Sequence, residues 1–226
     1  GFRYSINHHA KVRNMAKKYI YKYTEGDGKN KMLLGGKGAN LCEMTQIGLR
    51  VPPGFVITTE ACLDYIANNR LPEGLMGHVR ENMAWLEQET GKQFGGAGSP
   101  LLVSVRSGSA MSMPGMMDTI LNLGLNETTL AGLIKQTGNE RFGYDAYRRF
   151  IQLFGKIALG IDDHHFDEHF EAIKRRAGVK VDLGLSANDL KEIGQLFLEV
   201  VQKETGRPFP QDPYEQLELA VKAVFN

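Results

Sequence analysis

Cysteine is scarce in this chain. Cys42 and Cys62 are the only two and have no metal-ligand spacing, which excludes a disulfide-stapled scaffold and a cysteine-rich zinc module. The pair suits a reducing cytoplasm, and one bridge between them is all the count allows. A charge imbalance is also missing. Lys and Arg number 27 against 26 Asp and Glu, a net charge of +1, and no basic run is interleaved with aromatics, so no nucleic-acid partner is expected. No apolar run approaches the roughly 18 residues that a membrane span needs. The first residues carry charges without a continuous apolar core, so neither a membrane helix nor a secretory signal is expected. Tryptophan occurs once, as Trp85, and reads as a core residue rather than a base-stacking platform. What is left, over 226 residues, is a globular chain of one or two domains with ample material for a core.

Glycine is plentiful and clustered. The stretch Leu101 to Asn126, LLVSVRSGSAMSMPGMMDTILNLGLN, opens as a buried-type strand through Leu101, Leu102, Val103 and Val105 and places Arg106 at its end. Small residues follow, at Ser107, Gly108, Ser109, Ala110, Ser112 and Gly115, before a second apolar run of Ile120, Leu121, Leu123 and Leu125. Small side chains let backbone N–H groups approach an anion, and a guanidinium offers a planar fork of donors to phosphate oxygens. A plain strand-turn-strand connection with a surface arginine fits the same residues. The second cluster, LLGGKGAN from Leu33 to Asn40, sets Lys37 among Gly35, Gly36 and Gly38 just before a helical pattern. A helix start with free N–H groups and an added ammonium suits an anion. The spacing is neither that of a Walker A loop nor the G-x-G-x-x-G of a dinucleotide fold. These residues therefore yield two phosphate-compatible loops with one cation each.

The remaining elements follow from period and punctuation. Tyr19 to Tyr23 reads as a strand, Glu25 to Lys31 as its turn, and Gly38 to Ile47 as an amphipathic helix ended by Gly48. Val51 to Thr58 is a turn into a second strand, with Thr58 or Thr59 capping the helix that follows. A further helix runs from Pro72 to Thr90 with Leu75, Val79, Met83 and Leu86 inward. Gly91 to Pro100 reads as a mobile connection. Beyond Asn126 the period is helical almost throughout: Thr128 to Thr137, Arg141 to Leu159, His165 to Ala177, Ala187 to Thr205 with Ser186 as cap, and Pro213 onward.

Other constellations have two readings each. His165 and His169 stand four apart beside Asp162 and Asp163, a spacing that can hold zinc, yet an acidic helix start with solvated histidines fits as well and is preferred because no third ligand is placed. Asp145, Arg148 and Arg149 read as a solvated helix face or a docking surface. Met111, Met113, Met116 and Met117 either let their loop close over a nucleotide or simply pack it down. Asp118 and Thr119 can approach Mg²⁺ or phosphate, or cap the next segment.

GGKGANLCEM, VPPGFVITTEA, LLVSVRSG, SMPGMMDTILNLGLN and GYDAYRRFIQLFG, in this order, resemble the N-terminal nucleotide-binding part of the pyruvate, phosphate dikinase family from about Lys17 onward. GGKG followed by VRSG is shared with phosphoenolpyruvate synthases and rifampicin phosphotransferases, whereas the run from Met113 to Asn122 resembles the dikinases in particular. The resemblance implies an α+β, ATP-grasp-like fold with an inserted helical subdomain. It divides the chain into an upstream or non-native segment 1–14, a first subdomain 15–125, a helical insertion 126–213 and a return segment 214–226 that packs back on the first. It also implies a reaction in which ATP, phosphate and pyruvate give AMP, pyrophosphate and phosphoenolpyruvate through a phosphorylated histidine. Lys37 and Arg106 match the family's phosphate-binding cations, with Gly35, Gly36, Gly38, Ser107, Gly108, Ser109, Gly115, Asp118 and Thr119 around the ATP phosphates. No metal ligand is expected within these residues: the Mg²⁺ ligands, the phosphohistidine domain and the pyruvate-binding domain are expected beyond Asn226. The chain alone is expected to be inactive, cytoplasmic, and part of a homodimer when intact. A phosphoenolpyruvate synthase fragment and a non-catalytic nucleotide-binding module are the alternatives.

Overall fold

Ile20–Lys22 forms β1 and pairs antiparallel with β2, Phe55–Ile57, setting Ile20 opposite Ile57 and Lys22 opposite Phe55. The structure, a computed structural model, describes residues 17–108 and 119–226. These form two compact units, 17–82 with Gly108 and 83–107 with 119–226. Helices and three two-stranded sheets make the described residues an α+β chain.

In the first unit, α1 spans Lys31–Gln46, and its cap is Asn30, whose side-chain oxygen accepts from the Leu33 N–H at 3.2 Å. The helix was expected to begin at Gly38. A first run from Lys31, capped by Asn30, precedes the glycines; Gly35 breaks it, and the second run opens at Gly36, two positions before the expected start. Leu34, Ala39 and Cys42 form a buried cluster against Tyr21, Tyr23, Leu33 and Val56. Gly38 lets α1 come close to β2, since a Cβ there would stand 2.8 Å from Val56 Cγ1. Thr58 caps α2, Thr59–Asn68, by accepting from the Ala61 N–H. The third helix, α3, is Leu75–Thr90; the unit boundary falls inside it after Asn82, and Leu75, Val79, Met83 and Leu86 are all buried as their spacing predicts. Trp85 is half-buried.

In the second unit the glycine-rich connection is more structured than its composition suggests. Gln93–Phe94, β3, pairs parallel with Pro100–Leu101, β4, and buried Phe94 meets the Tyr214 ring edge-on at 5.0 Å. The strand expected from Leu101 onward is therefore divided: β5, Val103–Arg106, pairs instead with β6, Thr119–Leu123, antiparallel and with an irregularity between Val103 and Val105. Five helices follow: α4 Glu127–Thr137, α5 Glu140–Leu159, α6 Asp163–Ala177, α7 Ala187–Thr205 and α8 Pro213–Phe225. Asn126, Asn139, Asp162, Ser186 and Asp212 cap their starts, and Gly138, Gly160, Gly178 and Gly206 end the first four in left-handed geometry. Phe150, Phe154 and Phe209 pack ring to ring at 5.4 to 5.6 Å, and Phe166 meets Phe197 at 5.0 Å. Buried Gln216 ties α8 to the end of β6: its Oε1 accepts from Gly124 N–H at 2.9 Å and its Nε2 donates to the Leu125 and Pro210 carbonyls.

The Asp145, Arg148, Arg149 group is only partly a solvated face. Arg149 is exposed, but Arg148 is 6 % exposed, lies 4.4 Å from the centre of the Phe170 ring and donates through Nε to Asp145 at 2.9 Å. Helix spacing alone cannot show that α6 covers one of the two arginines. Burial pushes the Arg148 guanidinium below its ordinary pKa, and Asp145 opposes that shift.

Candidate phosphate-binding site

The lysine-bearing motif is a helix start made inside a helix. Gly35 has φ 73° and ψ 163°, and it divides α1 into two helical runs. Gly36, Lys37 and Gly38 thus open the second run, and a helix start carries the positive end of the dipole. Lys37 is half-buried and, among the described residues, has no ion-pair partner. The first run is held by Thr59 at the start of α2, whose hydroxyl donates toward the Met32 and Leu33 carbonyls. Sequence reasoning missed Thr59 as a support, having weighed it only as a cap for α2.

Of the other expected residues, Gly108 belongs to the first unit, where its carbonyl oxygen lies 2.2 Å from the point a Gly35 Cβ would occupy. The structure thereby brings together one glycine from each of the two loops. In the second unit, Arg106 ends β5, faces solvent and pairs in register with Thr119, the first residue of β6. Ser107 next to it is half-buried. Ser109, Gly115 and Asp118 lie outside the described residues, as do Met111, Met113, Met116 and Met117.

The histidine-rich segment has its side chains engaged locally. Asp162 caps α6; its carboxylate accepts from the His164 N–H at 3.0 Å and lies 2.6 Å from His164 Nδ1. That backbone N–H, then the imidazole, holds the Asp162 carboxyl below the usual range, and the Asp162 carboxylate raises His164. His165 faces Glu204 of α7 at 3.4 Å. Among the described residues no group of three or more His, Cys, Asp or Glu side chains is placed to hold a metal ion. Nor, among them, is any helix long and apolar enough to cross a membrane.

Comparison with known proteins adds to this geometry. Residues 31–81, which contain α1, β2, α2 and the first part of α3, match the family model described as pyruvate phosphate dikinase, AMP/ATP-binding domain. A pyruvate, phosphate dikinase of Entamoeba histolytica is 61% identical over 208 residues. This chain resembles the pyruvate, phosphate dikinases. The dikinase of Clostridium symbiosum is 49% identical over 212 residues, and pyruvate, phosphate dikinase 1, chloroplastic, of Arabidopsis thaliana 49% over 218. These dikinase alignments cover 92%, 92% and 94% of this chain but 24%, 24% and 22% of the relatives. The chain thus spans about a quarter of the length of the curated dikinases it matches.

Proposed function

We propose that this chain is the nucleotide-binding portion of a pyruvate, phosphate dikinase, a phosphotransferase that takes ATP, phosphate and pyruvate to AMP, pyrophosphate and phosphoenolpyruvate by way of a phosphohistidine. The observation that carries the reading is the break at Gly35. It opens a helical run at Gly36–Lys37–Gly38, inside the stretch that matches an AMP/ATP-binding domain. In this reading Lys37 and Arg106 neutralise charge on the phosphate oxygens. Backbone N–H groups at Gly35, Gly36, Gly38, Ser107, Gly108, Ser109 and Gly115 hold the chain of phosphates, and Asp118 and Thr119 lie beside it. Phosphoryl transfer depends on such positioning and charge stabilisation more than on a protein base.

The fold proposed with it is ATP-grasp-like, with a first subdomain 15–125, a helical insertion 126–213 and a return at 214–226. Mg²⁺, which screens phosphate charge when bound, is assigned to carboxylates of the enzyme outside these residues. The phosphohistidine and pyruvate sites are likewise assigned to further domains, and the intact enzyme to a cytoplasmic homodimer.

The test is turnover in the full-length enzyme. Lys37→Ala and Arg106→Ala each should lower AMP formation by about 10²- to 10³-fold, as expected for removing a charge that stabilises the transition state. Normal turnover in either variant would remove that residue from the site. Dependence of AMP formation on added phosphate separates the dikinase from a phosphoenolpyruvate synthase, which needs no phosphate acceptor.

A further inference from the structure

Gly35 does more than bend α1. Its φ of 73° and ψ of 163° fall in a backbone region that glycine alone enters without strain. Its bare Cα also faces another backbone: a methyl there would stand 2.2 Å from the Gly108 carbonyl oxygen and 3.1 Å from the carbonyl carbon. Such separations cannot be met by swinging a side chain, because both obstructing atoms belong to a peptide plane. The approach is one-sided. Among the described residues, a Cβ on Gly108 would find only the Leu34 carbonyl oxygen, at 3.7 Å, which is ordinary contact. The contact is also local to this glycine: Gly48, at the end of the same helix, has φ 92° with nothing within 4 Å of its would-be Cβ.

We propose that Gly35 is a positioning residue for the nucleotide phosphates, acting by seating the Gly108 backbone against the start of the helical run that carries Lys37. The inference rests on the dikinase reading of Lys37 and assigns Gly35 a task separate from touching the nucleotide. Helix starts and successive N–H groups in tight bends both attract anions. Holding the Gly108 backbone beside such a start sets the separation of two donor groups. A side chain at Gly35 would push Gly108 away and leave the Lys37 ammonium in place. The expected signature is weakened ATP use without loss of the chemistry that does not involve ATP.

The experiment uses the full-length enzyme and compares Gly35→Ala, Gly48→Ala, Gly108→Ala and Gly108→Val with the unmodified protein. Three properties are measured: KM for ATP, exchange between pyruvate and phosphoenolpyruvate, which proceeds through the phosphohistidine without nucleotide, and thermal unfolding. Gly35→Ala should raise the KM for ATP about tenfold or more, the scale expected when a binding group is displaced by an ångström or so, while the exchange rate is kept. Gly48→Ala carries the same kind of backbone strain without the close approach and should leave the KM for ATP as it was. Substitution at Gly108 should be graded, with Val, whose branch reaches the Leu34 carbonyl, worse than Ala. Because Gly108 is exposed, that pair stays informative even where Gly35→Ala fails to fold. A normal KM for ATP in Gly35→Ala, an equal rise in Gly48→Ala, or no grading at Gly108 would overturn the proposal. Any of these results beside an inactive Lys37→Ala would leave Lys37 in the site, whereas a fully active Lys37→Ala would remove Lys37 from the site and the proposal with it.

Discussion

In the second unit, phenylalanines from α5, α6, α7 and the segment before α8 meet ring to ring, and α4 to α8 each start on a side-chain cap. In the first unit close approaches are made where side chains are missing, Gly38 against Val56 and Gly35 against the Gly108 backbone; the second unit has one as well, Gly132 against the Ala97 backbone, but adds the rings to it. Met32, Ile47, Leu49, Leu63 and Ile66 of that unit stay exposed, while its buried cluster on α1 is only Leu34, Ala39 and Cys42. The difference teaches where each unit keeps its information. Loss of a ring in the second unit leaves a cavity, whereas a side chain added at Gly35 or Gly38 in the first meets atoms already in place.

The largest test of that contrast is Phe154→Ala. Phe154 is fully buried and touches both Phe150 and Phe209, so removing it should cost about 3–5 kcal/mol through lost transfer energy and the cavity left behind. Chemical denaturation read on the second unit's helices measures it, and a cost near zero would mean the rings are not what holds them.

The converse test adds atoms in the first unit. A methyl at Gly38 would stand 2.8 Å from Val56 Cγ1 and 3.0 Å from Cγ2. Overpacking of this kind costs about 1–3 kcal/mol, offset in part by the roughly 1 kcal/mol that alanine gains over glycine within a helix. Gly38→Ala should therefore lower protection of the α1 amides from hydrogen exchange. Val56→Ala, which empties the contested space, should restore most of it in the double variant. Additive damage in the double variant would show that the two side chains do not compete.

Much of the second unit was legible because its signals are periodic or punctuated. Ala187 to Thr205 was read with its Ser186 cap, and on α3, which the unit boundary divides, Leu75, Val79, Met83 and Leu86 shared one face as expected. The glycines were harder. GGKG reads as a phosphate-compatible loop, but a glycine carries no side chain whose period could show that a helical run had already begun at Lys31. The cue was Asn30, a capping residue just before Met32 and Leu33, and the glycines downstream masked it. Phe94 in a glycine-rich run and Gln216 on the inner side of α8 were missed for a related reason. Each owes its burial to a distant partner, Tyr214 in one case and the Gly124 and Leu125 peptides in the other, that local sequence does not name. Lys37 and Arg106, the cations proposed for the phosphates, stand out in the sequence beside runs of small residues, whereas the Gly35–Gly108 approach depends on two peptides 73 positions apart.

The smallest expected effect is a pH dependence confined to the second unit. Ser186 and Asp189 form a reciprocal cap on α7: the Ser186 hydroxyl accepts from the Asp189 N–H at 3.1 Å, and the Asp189 carboxylate accepts from the Ser186 N–H at 3.0 Å. That backbone N–H, followed by the Ser186 side chain, holds the Asp189 carboxyl below its ordinary value, and Arg176 adds to the shift. A carboxyl depressed in the folded state binds its proton more readily when unfolded. Its contribution is therefore complete above the unfolded pKa of about 3.9 and is lost as the pH falls through the lower folded value. The group is exposed, so water and salt screen the effect and it should be small. Asp189→Asn retains an oxygen that can accept from the Ser186 N–H but cannot titrate. Protection of the first α7 amides should fall between neutral and strongly acidic pH in the parent chain, and by less in Asp189→Asn. Glu192, one turn further along α7 and also held low by Arg176 of α6, titrates in both proteins, and loss of the Asp189 charge, which opposes that shift, leaves it lower in the variant. Identical acid profiles for the two would place the acid sensitivity of α7 in that pair instead.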